Sequence, residues 1–127
     1  MRIDLPWPDS KLSPNARIHW AQKAKIAASH RQCAYVSCLA KSRRDYRDAL
    51  KLSNNLRAMI TFYPPDRRKR DLDNLHASCK FYLDGIAQAF GFDDSKIKCV
   101  NCAWGNDLAL RGMVSIDLEP DNKMGVA

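Results

Sequence analysis

Leu75, Cys79, Tyr82, Leu83, Ile86 and Phe90 recur at steps of three and four residues, which predicts a helix over Asn74–Phe90 with one apolar stripe. At about 100° per residue, Asp73, Ala77, Lys80 and Asp84 fall on its opposite face. Just upstream, Leu56, Ala58, Ile60 and Phe62 share one face of a strand predicted over Leu56–Tyr63. Pro64-Pro65 stops that strand, because proline cannot donate to a ladder. A strand that must stop and a helix that must start leave the residues between them at a strand's carboxyl end and a helix's amino end. Ligand sites favour such junctions, where the first helical N–H groups lack partners.

That junction reads Asp66-Arg67-Arg68-Lys69-Arg70-Asp71-Leu72-Asp73-Asn74-Leu75, four cations running into two carboxylates spaced i, i+2. A basic run alone is ordinarily a solvated face, and a carboxylate pair alone ordinarily caps a helix. Together they suit a place where a phosphate is gripped by Arg and Lys, and a divalent metal by Asp. Asp93-Asp94, in the turn after the helix, offers a second carboxylate pair, and turn residues of this kind are common. Mg²⁺ takes oxygen ligands and keeps several waters, so two or three carboxylates from separate elements suffice for it. Lys80 shares a face with Asp73 and is able to bring an ammonium near a phosphate, although an exposed helix lysine is the ordinary case. Asp84 on that face is a possible extra ligand, more ordinarily solvated.

The remaining elements are less sharply marked. Arg2–Leu5 alternates as a short strand that leaves through Pro6-Trp7-Pro8. Pro14 and Asn15 signal a helix start, and a helical pattern runs from Ala16 to about Leu39 through Trp20, Ala24, Ala27, Ala28 and Tyr35. Its polar positions are largely cationic, and the run continues into Lys41, Arg43, Arg44 and Arg47. Such a face is either solvated or laid along a phosphate backbone. Lys51–Asn55 is expected to be a connection. Two late strands are predicted near Ile97–Trp104 and Met113–Leu118, then a frayed tail over 120–127.

The 127 residues fit one domain, and 46% hydrophobic residues suffice for a core. With 21 Lys+Arg against 14 Asp+Glu the chain carries +7, which favours an anionic partner such as nucleic acid. No apolar run approaches the roughly 20 residues of a membrane span, and the N-terminus lacks the apolar core of a signal peptide. Five cysteines, an odd number, suit reduced thiols in a cytoplasmic setting. Cys99-Val100-Asn101-Cys102 has C-x-x-C spacing, but no second such pair follows and it lies in a predicted strand, which argues against zinc.

On Leu5-Pro6-Trp7-Pro8, Pro65–Leu75, Leu83-Asp84-Gly85-Ile86 and Asp93-Asp94-Ser95, the chain resembles the RusA family of Holliday-junction resolvases from phages and prophages. The resemblance implies that Asp71, Asp73 and, by position, Asp94 are the catalytic, Mg²⁺-associated acids, with Asp93 the close competitor. It associates Arg70 with DNA handling. It also implies a helix lysine four residues past the second aspartate, where this chain has Ala77; Lys80, nearly one turn on, is the residue able to take its place. Homodimers that cut two opposed strands of a four-way junction symmetrically are a further implication, as paired nicks need two sites facing a symmetric branch.

The expectation is therefore an α+β chain, β-α-β-α-β-β, with about four strands in one mixed sheet packed with two main helices. Functionally it is a Mg²⁺-dependent endonuclease (Mn²⁺ a possible substitute) that resolves Holliday junctions in DNA recombination and repair. Arg67, Arg68, Lys69 and Arg70 would hold phosphates, Asp71, Asp73 and Asp94 or Asp93 the metal, and Lys80 would assist. No membrane and no small-molecule cofactor is expected, and the setting is a bacterial host's cytoplasm. The rival readings are a non-catalytic DNA-binding module in which Asp71 and Asp73 are helix caps, and a basic RNA-associated protein.

Overall fold

Strand β2 (Leu56–Tyr63) lies inside the sheet in the computed structural model, which describes residues 2–41 and 43–121. Its alternation buries Leu56, Ala58, Ile60 and Phe62 toward one side. Strand β4 (Met113–Pro120) pairs with it antiparallel, Ile116 opposite Ile60, and β1 (Arg2–Pro6) adds antiparallel beyond β4. On the other side β3 (Ile97–Trp104) runs parallel to β2, with Phe62 opposite Trp104, giving the order β1-β4-β2-β3. Parallel neighbours need a crossover of a dozen or more residues. The whole stretch from Pro64 to Lys96 serves as that crossover.

Among the described residues four α-helices cover one face: α1 (Trp20–Lys41), α2 (Arg44–Leu52), α3 (Leu72–Ser78) and α4 (Lys80–Phe90). The α+β class and the four-stranded mixed sheet are as expected. Cys38, Leu50, Tyr82, Ile86 and Phe90 meet Ile3, Leu5, Ile60, Phe62 and Val114 in one core. None of the helices among the described residues is long and apolar enough to cross a membrane.

The helices differ in detail from the pattern. The first begins at Trp20 rather than Ala16, because Pro14 sits in a turn closed by Ala16 N–H to the Ser13 carbonyl at 3.0 Å. Its buried residues are Ala27, Ala34 and Cys38, while Trp20 is 76% exposed and Leu39 is exposed as well. Small residues are required there because α1 and α4 approach closely. A Cβ on Gly85 would lie 2.3 Å from the Arg31 carbonyl oxygen and 3.0 Å from the Ala34 Cβ. Helix α2, unforeseen because it buries only Leu50, takes up the cationic run and part of the expected connection.

The helix expected over Asn74–Phe90 is two. It breaks at buried Cys79, whose N–H closes a tight turn on the His76 carbonyl at 3.0 Å. The Ser78 hydroxyl donates to the Asn74 carbonyl at 2.9 Å, a bond of the kind that bends helices. Gly91 ends α4 in the left-handed region, with φ 74°. At the C-terminus β4 reaches Pro120, and Asp121 N–H donates to the Asn55 carbonyl at 2.9 Å, where the tail was expected to begin. The rest of the expected tail, 122–127, lies outside the described residues.

Candidate active site

The loop between β2 and α3 is organised by Asp66. Its carboxylate accepts the Arg68 backbone N–H at 2.9 Å and pairs with the guanidinium of Arg70 at 2.9 Å. Those two partners, the Arg68 N–H first, hold the Asp66 carboxyl below its ordinary range. Arg70 also donates to the backbone carbonyls of Asp66 and Arg68, each at 3.1 Å, and lies 5.4 Å over the Trp7 ring. The four cations thus divide. Arg67, Arg68 and Lys69 are exposed, whereas the Arg70 side chain is only 15% accessible and holds the loop's shape.

Trp7 is fixed in turn by the chain around it. The Tyr82 hydroxyl donates to the Pro6 carbonyl at 2.7 Å, and His30 stacks on the Tyr82 ring at 4.9 Å between centroids. Asp9 N–H donates to His30 Nε2 at 3.2 Å, and burial lowers the histidine's pKa. Neutral imidazole is the form that accepts there.

Asp71 is the N-cap of α3, its carboxylate accepting Asp73 N–H at 2.9 Å. The capping role weighed against catalysis is therefore real, but it uses one oxygen, and the residue remains exposed together with Asp73. Asp93 plays the same part at a 3₁₀ turn over Asp94–Lys96, accepting Ser95 N–H at 2.9 Å, and this bond lowers its pKa. Asp94 shares a cleft with Asp84, whose carboxyl is raised by burial first and by this neighbour second. Asp84, ordinarily a solvated helix residue, is half-buried here. Its nearness to Asp94 across the turn after α4 leaves no mark in the residue spacing.

The acids form two groups rather than one. Asp71 and Asp73 stand at the carboxyl end of β2, whereas Asp94 precedes β3, whose start pairs with the start of β2. Lys80 lies between them. It lines one cleft of about 410 Å³ with Asp73, His76 and Ala77, and another of about 420 Å³ with Asp84, Asp93 and Asp94. Lys80 thus opens onto the same hollow as Ala77 despite the helix break. Asp71 borders a third cleft, with Trp7, Asp9 and Asn74.

No three acidic, histidine or cysteine side chains converge on one metal position among the described residues. As a donor set the acids fit Mg²⁺, since they are hard carboxylate oxygens carried on separate elements. The five cysteines are free thiols, and burial raises the pKa of Cys79 and Cys102.

No family model matches the chain. An uncharacterized protein of Xylella fastidiosa (strain Temecula1) is 40% identical over 94 residues, 74% of this chain. The match spans 60% of that protein's length. The crossover junction endodeoxyribonuclease RusA of Escherichia coli K12 is 31% identical over 96 residues, 75% of this chain and 74% of that enzyme. The RusA protein of Escherichia coli CFT073 matches to the same extent. With that identity running through three quarters of both lengths, the chain belongs to the RusA family.

Proposed function

We propose that the chain is a Mg²⁺-dependent endonuclease that binds branched DNA as a homodimer and resolves Holliday junctions by paired symmetric nicks. The observation that carries this reading is the exposed Arg67-Arg68-Lys69 run abutting the exposed acids Asp71 and Asp73 at the head of α3. Kinship with crossover junction endodeoxyribonucleases supports it. The work would be DNA recombination and repair in a bacterial cytoplasm, from a phage or prophage gene.

In this reading the three exposed cations hold backbone phosphates, and Arg70 keeps their loop in shape from beneath. Asp71 and Asp73 hold the metal from one end of the crossover, and Asp94, with Asp84 or Asp93 beside it, from the other. Because one chain presents these acids apart, two copies each contribute half of a complete site, and two-fold symmetry then makes two such sites. Lys80, between the two groups, sets a positive charge near the phosphate. When bound, Mg²⁺ (or Mn²⁺) supplies polarisation of the phosphodiester and activation of water.

The test is Asp73→Asn on a four-way junction with Mg²⁺, where lost cleavage with retained binding is expected. Full cleavage by that variant would overturn the assignment of the acids. The Asp71 cap favours one second reading, a binding module without chemistry. Wild-type protein that binds junctions yet nicks none in Mg²⁺ or Mn²⁺ would establish it.

A further inference from the structure

Beside the cation loop, at the same end of the sheet, stands an apolar group with no role so far. Trp104, the last residue of β3, is 43% exposed, and Leu108 in the following loop is 48% exposed. Together with Pro64, Arg67, Arg68 and Lys69 they line one open cleft of about 340 Å³. Both apolar residues are held in place. Gly105 N–H donates to the Phe62 carbonyl at 2.8 Å, Ala109 N–H to the Pro64 carbonyl at 3.1 Å, and the Trp104 ring rests 6.1 Å from that of Phe62. One side of the indole is thus supported while another remains in solvent.

We propose that Trp104, backed by Leu108, is a stacking platform for a nucleobase exposed at the branch point of the DNA whose phosphates the adjoining cations hold. This rests on the junction reading above. Cations that track a backbone combined with an aromatic ring that receives a base form the general solution for unpaired or unstacked nucleic acid. Regular duplex hides its base faces; a branch exposes them. A second copy of this chain is the poorer occupant, because a two-fold contact at this cleft would set its cations near their own symmetry mates. Residue spacing alone puts Trp104 at a strand end, and only the pairing of β3 with β2 brings it to the loop.

The experiment measures affinity for a four-way junction and for linear duplex of the same sequence, in an Asp73→Asn background to prevent cleavage. Trp104→Ala is expected to weaken junction binding about tenfold and leave duplex binding unchanged, and Trp104→Phe to stay within about twofold of the parent on both. Should Trp104→Ala fail to fold, photo-crosslinking of the parent to a junction carrying 5-iodouracil decides the matter. A crosslink mapped to Trp104 from the branch, and none from mid-arm, is expected. Unchanged junction affinity in Trp104→Ala, an equal loss on both DNAs, or a branch crosslink mapped elsewhere would overturn the platform alone. An altered sedimentation coefficient with junction binding intact would assign the patch to a second copy and overturn it too. Parent protein that binds junction no better than duplex would bring down the junction reading itself, and the platform with it.

Discussion

Arg70 is bound to Asp66 at 2.9 Å, four residues back along the same loop, and the pair turns one of four consecutive cations away from solvent. Arginine is required at this position because its planar fork serves a carboxylate and two carbonyls at once, which an ammonium cannot. Arg70→Lys, although it keeps the charge, is expected to lower junction cleavage by about tenfold, as lost hydrogen bonds to a charged group commonly do. Single-turnover assays measure this. Asp66→Asn should lower the melting temperature at neutral pH. Because folding depresses the Asp66 carboxyl, its stabilisation is present above the ordinary carboxyl range and lost below it. The gap between wild type and variant therefore closes as the pH falls through that range.

Asp73 and Asp94 offer a sharper test, of complementation. Asp73→Asn and Asp94→Asn should each be inactive alone. If each site draws Asp73 from one copy and Asp94 from the other, a mixed dimer of the two variants keeps one intact site. Mixing them is expected to restore single-strand nicking without paired cleavage. Both sites would stay dead in the mixture if each were built within one chain.

Lys80 and Ala77 border the same cleft as Asp73. Lys80→Ala should reduce cleavage by about 100-fold or more with little change in binding, the scale expected for a charge set at the reacting phosphate. Ala77→Lys added to that variant is expected to recover a substantial part of the loss. Recovery would show that either position serves the same hollow, and its absence would separate their roles.

His30 predicts a stability effect on the acid side of neutral. Burial lowers its folded pKa below the ordinary 6.5, so the folded state resists taking up the proton. Its contribution is complete above the ordinary value and declines as the pH falls through the lowered one. Wild-type melting temperature should fall between about pH 7 and 5, and a His30→Gln variant should show a flatter profile over that window.

Much of this fold is legible in the sequence, and for physical reasons. Strand β2 is stopped at its carboxyl end by Pro64-Pro65, and β3 begins and ends as expected. The Asp66–Leu75 junction is local, so its place between a strand and a helix follows from the pattern alone. Contacts between distant segments were not readable. That Arg70 faces inward depends on Trp7, sixty-three residues earlier, and Asp84 meets Asp94 only because Gly91 turns the chain back. The break at Cys79 was masked because the apolar spacing runs through it without interruption. The start of α1 was placed four residues early because Pro14 and Asn15, which can open a helix, here close a turn instead.

The parallel pairing of β2 with β3 has one more consequence. All the charged residues assigned above to grip and chemistry, from Arg67 to Asp94, fall within the single crossover that joins those two strands. They form one contiguous cassette between the two strands. Recombination between related genes with breakpoints in β2 and β3 would exchange substrate hold and reactivity together. Trp104 lies beyond the second breakpoint, at the far end of β3, so the stacking platform would be inherited separately.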